Sequence, residues 1–129
     1  MQDILVPVSP GELLDKITIL RIKSQRMSDP AKLANVRHEL ALLEATWARS
    51  GGAGVDADIE ALTEVNARLW DIEDRIRDQE RAQAFDQVFI DLARSVYVEN
   101  DERAAIKKRI NTRLGSRIVE EKSYRDYRP

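Results

Sequence analysis

The 129-residue chain contains no cysteine, which removes a disulfide scaffold, a thiolate zinc site and a cysteine nucleophile. It contains one histidine, His38, so neither a multi-histidine metal site nor a Ser-His-Asp triad is expected. Glycine (5) and proline (4) are scarce, which excludes a collagen-like repeat and a low-complexity linker. No apolar run approaches the ~18 residues that cross a bilayer. The opening MQDILVPVSP is too short and too acidic for a secretory signal. A soluble, cytoplasmic protein without membrane contact is expected. Gly51-Gly52-Ala53-Gly54 lacks the lysine and the preceding strand of a phosphate-binding loop. No cofactor and no metal are expected.

What the chain does have is 43% hydrophobic and 34% charged residues, enough for one helical domain over 1–129 with its own core. The net charge of −2 hides an asymmetry. From Arg103 onward nine Lys/Arg face three acids, and the rest of the chain is acidic. Either this end binds an anion, or it docks on the acidic remainder. The isoelectric point of about 5.5 argues against a nucleic-acid partner. The tail Tyr124-Arg125-Asp126-Tyr127-Arg128 mixes aromatics with cations, yet an acid interrupts it.

Periodicity predicts an all-α fold, an antiparallel helical hairpin or bundle of four to five helices. An apolar arm over 1–9 leads into Ser9-Pro10-Gly11-Glu12, a capping box with proline at the first helical position. The helix it opens is predicted over 10–27, with Leu13, Ile17, Leu20 and Met27 on one stripe. Ile19 and Ile22 lie almost opposite, so this helix is apolar on two faces. The second of those faces is the expected subunit interface of a homodimer. Asp29-Pro30 restarts the chain into a helix over 30–49, with a seam of Leu33, Val36, Leu40, Leu43 and Trp47. After a glycine loop expected to be mobile, a third helix runs from about Asp58 into the 80s. Phe85, Val88, Phe89, Leu92 and Val96 predict a fourth. Asn100 or Asp101 is read as the cap of a fifth, which Gly115 ends. Residues 116–129 read as a basic tail.

The informative positions are polar residues on apolar faces. Asn66 and Glu73 lie near the seam of the third helix, and Arg103 and Lys107 flank Ile106 and Ile110. A carboxylate out of water needs a partner, and Arg103 or Lys107 is the candidate for Glu73. Such a group is either a buried ion pair that fixes helix register or a polar pocket in the bundle. Glu12, Lys16, Ile19 and Lys23 share a second face, with Asp15 beside it. Glu12-x-x-Asp15 has the spacing of half a carboxylate magnesium site, but Glu12 belongs to the capping box and Glu–Lys pairs at this spacing are common decoration. Lys16 and Lys23 join Arg103 and Lys107 as candidate anion-binding cations. Glu12, Asp15, Asn66 and Glu73 are the candidate polar-core residues. His38 falls off its seam and reads as solvated.

VPVSPGELLDKITILRIK, LWDIEDRIR and FIDLARSVYVENDERAAIKKRIN resemble an uncharacterised bacterial family of small helical proteins, over nearly the whole chain. That resemblance implies a fold unit and no activity. LLDKITILRIKSQRM is also similar to the first helix of all-helical chorismate mutases, through Asp15 and Arg26. Those enzymes bind a dianion between helices of an intertwined dimer.

Three functions from different classes are therefore weighed, of which a nucleic-acid binder using the basic end is disfavoured by the acidic isoelectric point, and two are expected to compete. One is a dimeric helical module for interaction with itself or with another protein. The other is an enzyme for a small anionic substrate, with Arg103 and Lys107 as clamp and Glu73 as acid or base.

Overall fold

The computed structural model describes all 129 residues and contains four helices: α1 (Pro10–Arg26), α2 (Pro30–Ser50), α3 (Asp56–Arg81) and α4 (Gln87–Arg113). No helix is long and apolar enough to cross a membrane. Local chemistry sets the boundaries. Ser9 Oγ accepts from the Glu12 amide at 3.1 Å and Pro10 occupies the first turn of α1. Asp29 accepts from Ala31 N at 3.0 Å to open α2, which Gly51 closes in the left-handed region at φ 75°. Asp86 caps α4 through the Phe89 amide at 3.2 Å.

Two expectations need correction. The fourth and fifth predicted helices are one continuous helix, and Asn100 and Asp101 lie inside α4 rather than at a cap. Their side chains have other partners: Asn100 Oδ1 accepts from Arg103 Nη2, one turn along the same helix, at 2.7 Å, and Asp101 Oδ1 accepts from Lys122 Nζ in the tail at 2.7 Å. A polar group so engaged does not compete for the backbone, and no glycine or proline is present to break the helix. The glycine loop is also packed in part. Gly52 sits so close to the Trp47 ring that a Cβ would collide with it.

Helix α1 is the centre of the molecule. It packs on α2, α3 and α4, whereas α2 packs on α1 alone. The core joins Leu13, Leu14 and Ile17 of α1 to Val55, Leu62, Val65, Ile106 and Ile110. This accounts for the two apolar faces of α1 within one chain. Ile22 is only 4% exposed, covered by its own chain, and is withdrawn as an interface residue. Ile19 is half-buried.

The polar contacts of α1 run antiparallel to α4 and parallel to α3, and they begin where α4 ends. With Asp15 and Thr18 opposite Asn66, α1 ends level with about residues 74–77 of α3, and at 1.5 Å per residue α3 runs on by about 6–10 Å. The tip of the α3–α4 hairpin thus has no α1 beside it. Residues 116–129 run back along α4: Glu120 accepts from Ser9 Oγ at 2.7 Å, Lys122 meets Asp101, and Tyr127 lies 4.9 Å from Tyr97. The arm is open, with Ile4, Leu5 and Val6 all exposed.

The approach of α1 to α4 depends on Gly11. Its amide donates to Asn111 Oδ1 at 2.7 Å, and an added Cβ would lie 2.6 Å from the Lys107 carbonyl oxygen. Backbone atoms cannot yield as a flexible side chain does. Gly11→Ala should therefore lower stability by about 1–3 kcal/mol, despite the better helix propensity of alanine. Urea unfolding monitored by circular dichroism checks this. An unchanged or higher midpoint would mean that the two backbones are not in contact.

Candidate functional site

A run of polar side chains crosses the bundle at mid-height of α1. Glu12 and Asp15 stand one turn apart on α1, with Lys107 of α4 between them. Lys107 Nζ donates to Glu12 Oε2 at 2.6 Å and lies 3.7 Å from both Asp15 Oδ2 and Glu120 Oε2. Burial by itself would lower the Lys107 ammonium. The Glu12 hydrogen bond and the charges of Asp15, Glu12 and Glu120 outweigh it, and the group titrates above the ordinary lysine value.

Asn66 of α3 continues the run. Its Nδ2 donates to Asp15 Oδ1 at 2.9 Å and to Thr18 Oγ1 at 3.1 Å. Its Oδ1 accepts from Arg103 Nη1 at 3.2 Å. Thr18 Oγ1 in turn donates to the Asp15 carbonyl at 2.9 Å. All three of Asp15, Thr18 and Asn66 are buried, and every polar atom of the Asn66 side chain has a partner. Arg103 ends the run. Asn66 and Asn100 supply amide oxygens to two of its nitrogens, and no carboxylate oxygen lies within 4.0 Å of it.

Arg103 faces a cleft of about 460 Å³ between α3 and α4 at the edge of α1, lined by Ile19, Trp70, Val96, Glu73 and Arg77 among others. Next to it, beneath the tail, lies a cavity of about 520 Å³ lined by Lys107, Lys108, Lys122 and Glu120, and the two share Asn100 and Arg103.

Glu73 requires correction. It is exposed, and its Oε2 accepts from Arg77 Nε at 3.3 Å, one turn along the same helix. It meets neither Arg103 nor Lys107. The helical phase that aligns it with Asn66 is right, but Glu73 sits two turns further out, on the wall of the cleft, where water reaches it. Glu73 and Arg103 still line one cleft, and Arg103 and Lys107 line the neighbouring cavity, which Glu73 does not reach. Lys16 is exposed and Lys23 half-buried; neither pairs with a carboxylate nor lines either cavity. Asp15 and Arg26, matched to the chorismate mutase pattern, serve different ends. Asp15 is buried against Asn66, whereas Arg26 stacks at 5.9 Å over the Trp70 ring and pairs with Asp71 at 2.5 Å. His38 is exposed, and no group of three or more His, Cys, Asp or Glu side chains is placed to hold a metal.

A second buried charge escaped the sequence reading. Asp58 is 3% exposed, with Arg109 Nε 2.7 Å and Arg113 Nε 3.2 Å from its carboxylate oxygens. The signal was present: Arg109 and Arg113 are one turn apart on the basic end, and Asp58 lies in the first turn of α3.

Removing Lys107 strands Glu12 and Asp15. Lys107→Met should cost about 1.5–3 kcal/mol at neutral pH, as the loss of a hydrogen bond between charged groups. A raised native value means that this stabilisation is complete below the ordinary lysine value of about 10.4 and is lost as pH rises through the native one. Urea midpoints of the two proteins should run apart up to that pH and converge only above it. A constant gap across alkaline pH would show that the ammonium is not the source.

No curated protein and no solved structure matches the chain significantly. The profile of one family matches residues 4–127, and the chain belongs to that family of unknown function, DUF6165.

Proposed function

We propose that the protein is a dimeric helical interaction module that self-associates through the outer part of its α3–α4 hairpin. The observation that carries this reading is the exposed apolar seam at the tip of the hairpin. Where α1 lies in the α3–α4 groove, Leu62 and Val65 are wholly buried. Toward the tip, around a buried Leu92, the seam continues as Ile76 and Phe89, which are only half-buried. At the tip Phe85 is 53% and Val88 46% exposed, with Phe85 and Phe89 edge to face at 5.3 Å. Two helices alone leave such a seam in water, and a third or fourth helix covers it.

A second copy is the partner with matching chemistry. Between Ile72 and Tyr97 the hairpin alternates charge, as in Asp74-Arg75, Arg77-Asp78 and Glu80-Arg81. A two-fold pairing of the same patch sets acids against bases without a foreign surface. Another protein is the remaining candidate for the same seam.

The enzyme reading has one observation in its favour, the placement of Glu73 and Arg103 along one cleft. Against it stands Lys107, which Glu12 and Asp15 already occupy. Its binding half is taken up below.

Sedimentation at micromolar concentration should give a dimer. Phe85→Asp combined with Val88→Lys should give a monomer of unchanged helicity. Ile4→Asp combined with Leu5→Asp should leave the dimer intact. A wild-type monomer at high concentration would overturn the proposal. Dissociation by the arm variant alone would place the interface on the arm instead.

A further inference from the structure

Arg103 stands out among the cations of this chain. Lys107 answers Glu12, Arg109 and Arg113 answer Asp58, and Arg68 answers Glu99 and Glu102; Lys23 is half-buried without a carboxylate but lines neither cavity. Arg103 is half-buried and has two neutral oxygens only. Those oxygens are themselves held. Asn66 is fixed by Asp15 and Thr18, so the guanidinium is oriented by a network it does not neutralise. Its remaining N–H groups have no protein acceptor. Asn100 lines the same cleft, and its Nδ2 donates to no protein group.

We propose that this cleft binds a small organic monocarboxylate, with Arg103 and the Asn100 amide as the anchor for its carboxylate and an apolar body lying outward along the groove. The planar fork of arginine offers paired donors to a carboxylate. Next to it the walls are apolar, formed by Ile19, Leu69, Trp70 and Val96. The volume of about 460 Å³ suits a molecule of that kind. Charge selects the class. Around the cleft Arg77 and Arg103 balance Glu73 and Asp74, so one negative charge is matched at the inner end and a dianion meets acids at the outer end. The cavity beneath the tail, with Lys107, Lys108 and Lys122, is the competing place for phosphate. This inference does not require self-association.

Backbone amide NMR of the isotope-labelled full chain reads the site directly. The probes are phenylacetate, its neutral counterpart benzyl alcohol, and inorganic phosphate. Phenylacetate should shift resonances around Asn66, Trp70, Val96 and Arg103 with a Kd of about 1 mM or tighter. Benzyl alcohol should bind at least about tenfold more weakly. Arg103→Lys, which keeps the charge but loses the fork, should also weaken phenylacetate about tenfold while the remaining spectrum stays native. Asn100→Ala, which leaves Arg103 in place, should weaken it as well. Because Arg103 and Asn100 line both cavities, Trp70 and Val96 report the cleft alone. Four results would each overturn the proposal: no phenylacetate shift at about 10 mM, ten times that Kd; equal affinity for benzyl alcohol; tighter binding of phosphate at Trp70 and Val96; or phenylacetate shifts that include Lys107, Lys108 and Lys122 but neither Trp70 nor Val96. An unfolded Arg103→Lys leaves the decision to Asn100→Ala and the neutral probe on the wild-type chain.

Discussion

Asn66 joins three helices through one side chain. From α3 it donates to Asp15 and Thr18 of α1 and accepts from Arg103 of α4. Placed between Val65 and the apolar seam, a buried amide is costly unless every donor and acceptor is met. Only one rotation and one height of α1 meet them all. Apolar packing supplies most of the stability here, but it tolerates sliding. The amide does not, and so it fixes the register at which α1 lies in the α3–α4 groove. The Lys107 bonds to Glu12 and the approach of Gly11 to Asn111 then follow at the same register.

The rest of the molecule follows from where that register leaves the ends. With α1 held at that height, the tip of the longer hairpin is left without a cover. The groove forms a cleft bordered by Ile19 and Arg103 and runs out into an apolar seam at the tip. The two proposed activities occupy neighbouring stretches of one groove. A second copy seated on the outer stretch would narrow the mouth of the cleft, which offers a physical route for ligand and assembly to influence one another.

The sequence made the helices and much of the polar network readable. Ser9 and Asp29 have cap chemistry, and the apolar residues of α1, α2 and α3 repeat at helical spacing. Asn66 and Arg103 were legible because a polar residue on an apolar stripe stands out. What stayed hidden depends on lengths and on tertiary partners. The phase of Glu73 was correct, yet phase says nothing about how closely a neighbouring helix approaches at that height. Asn100 and Asp101 looked like caps because that is what such residues do when no other partner is near, and Arg103 and Lys122 are near. Ile22 looked like an interface because periodicity reveals a second apolar face but not what covers it, and here its own chain does. The basic end was legible as an excess of charge but not as a set of pairs, since Asp58 and Arg109 are 51 residues apart.

The claim on which this account turns is that Asn66 and Asp15 are energetically coupled across the α1–α3 contact. A double-mutant cycle with Asp15→Ala, Asn66→Ala and the double variant, followed by urea unfolding at neutral pH, measures that coupling directly. The account predicts an interaction energy of about 1 kcal/mol or more, with the double variant less destabilised than the sum of the singles. Additive losses, with a coupling within about 0.3 kcal/mol of zero, would show that the two side chains do not meet and that α1 is held by apolar packing alone.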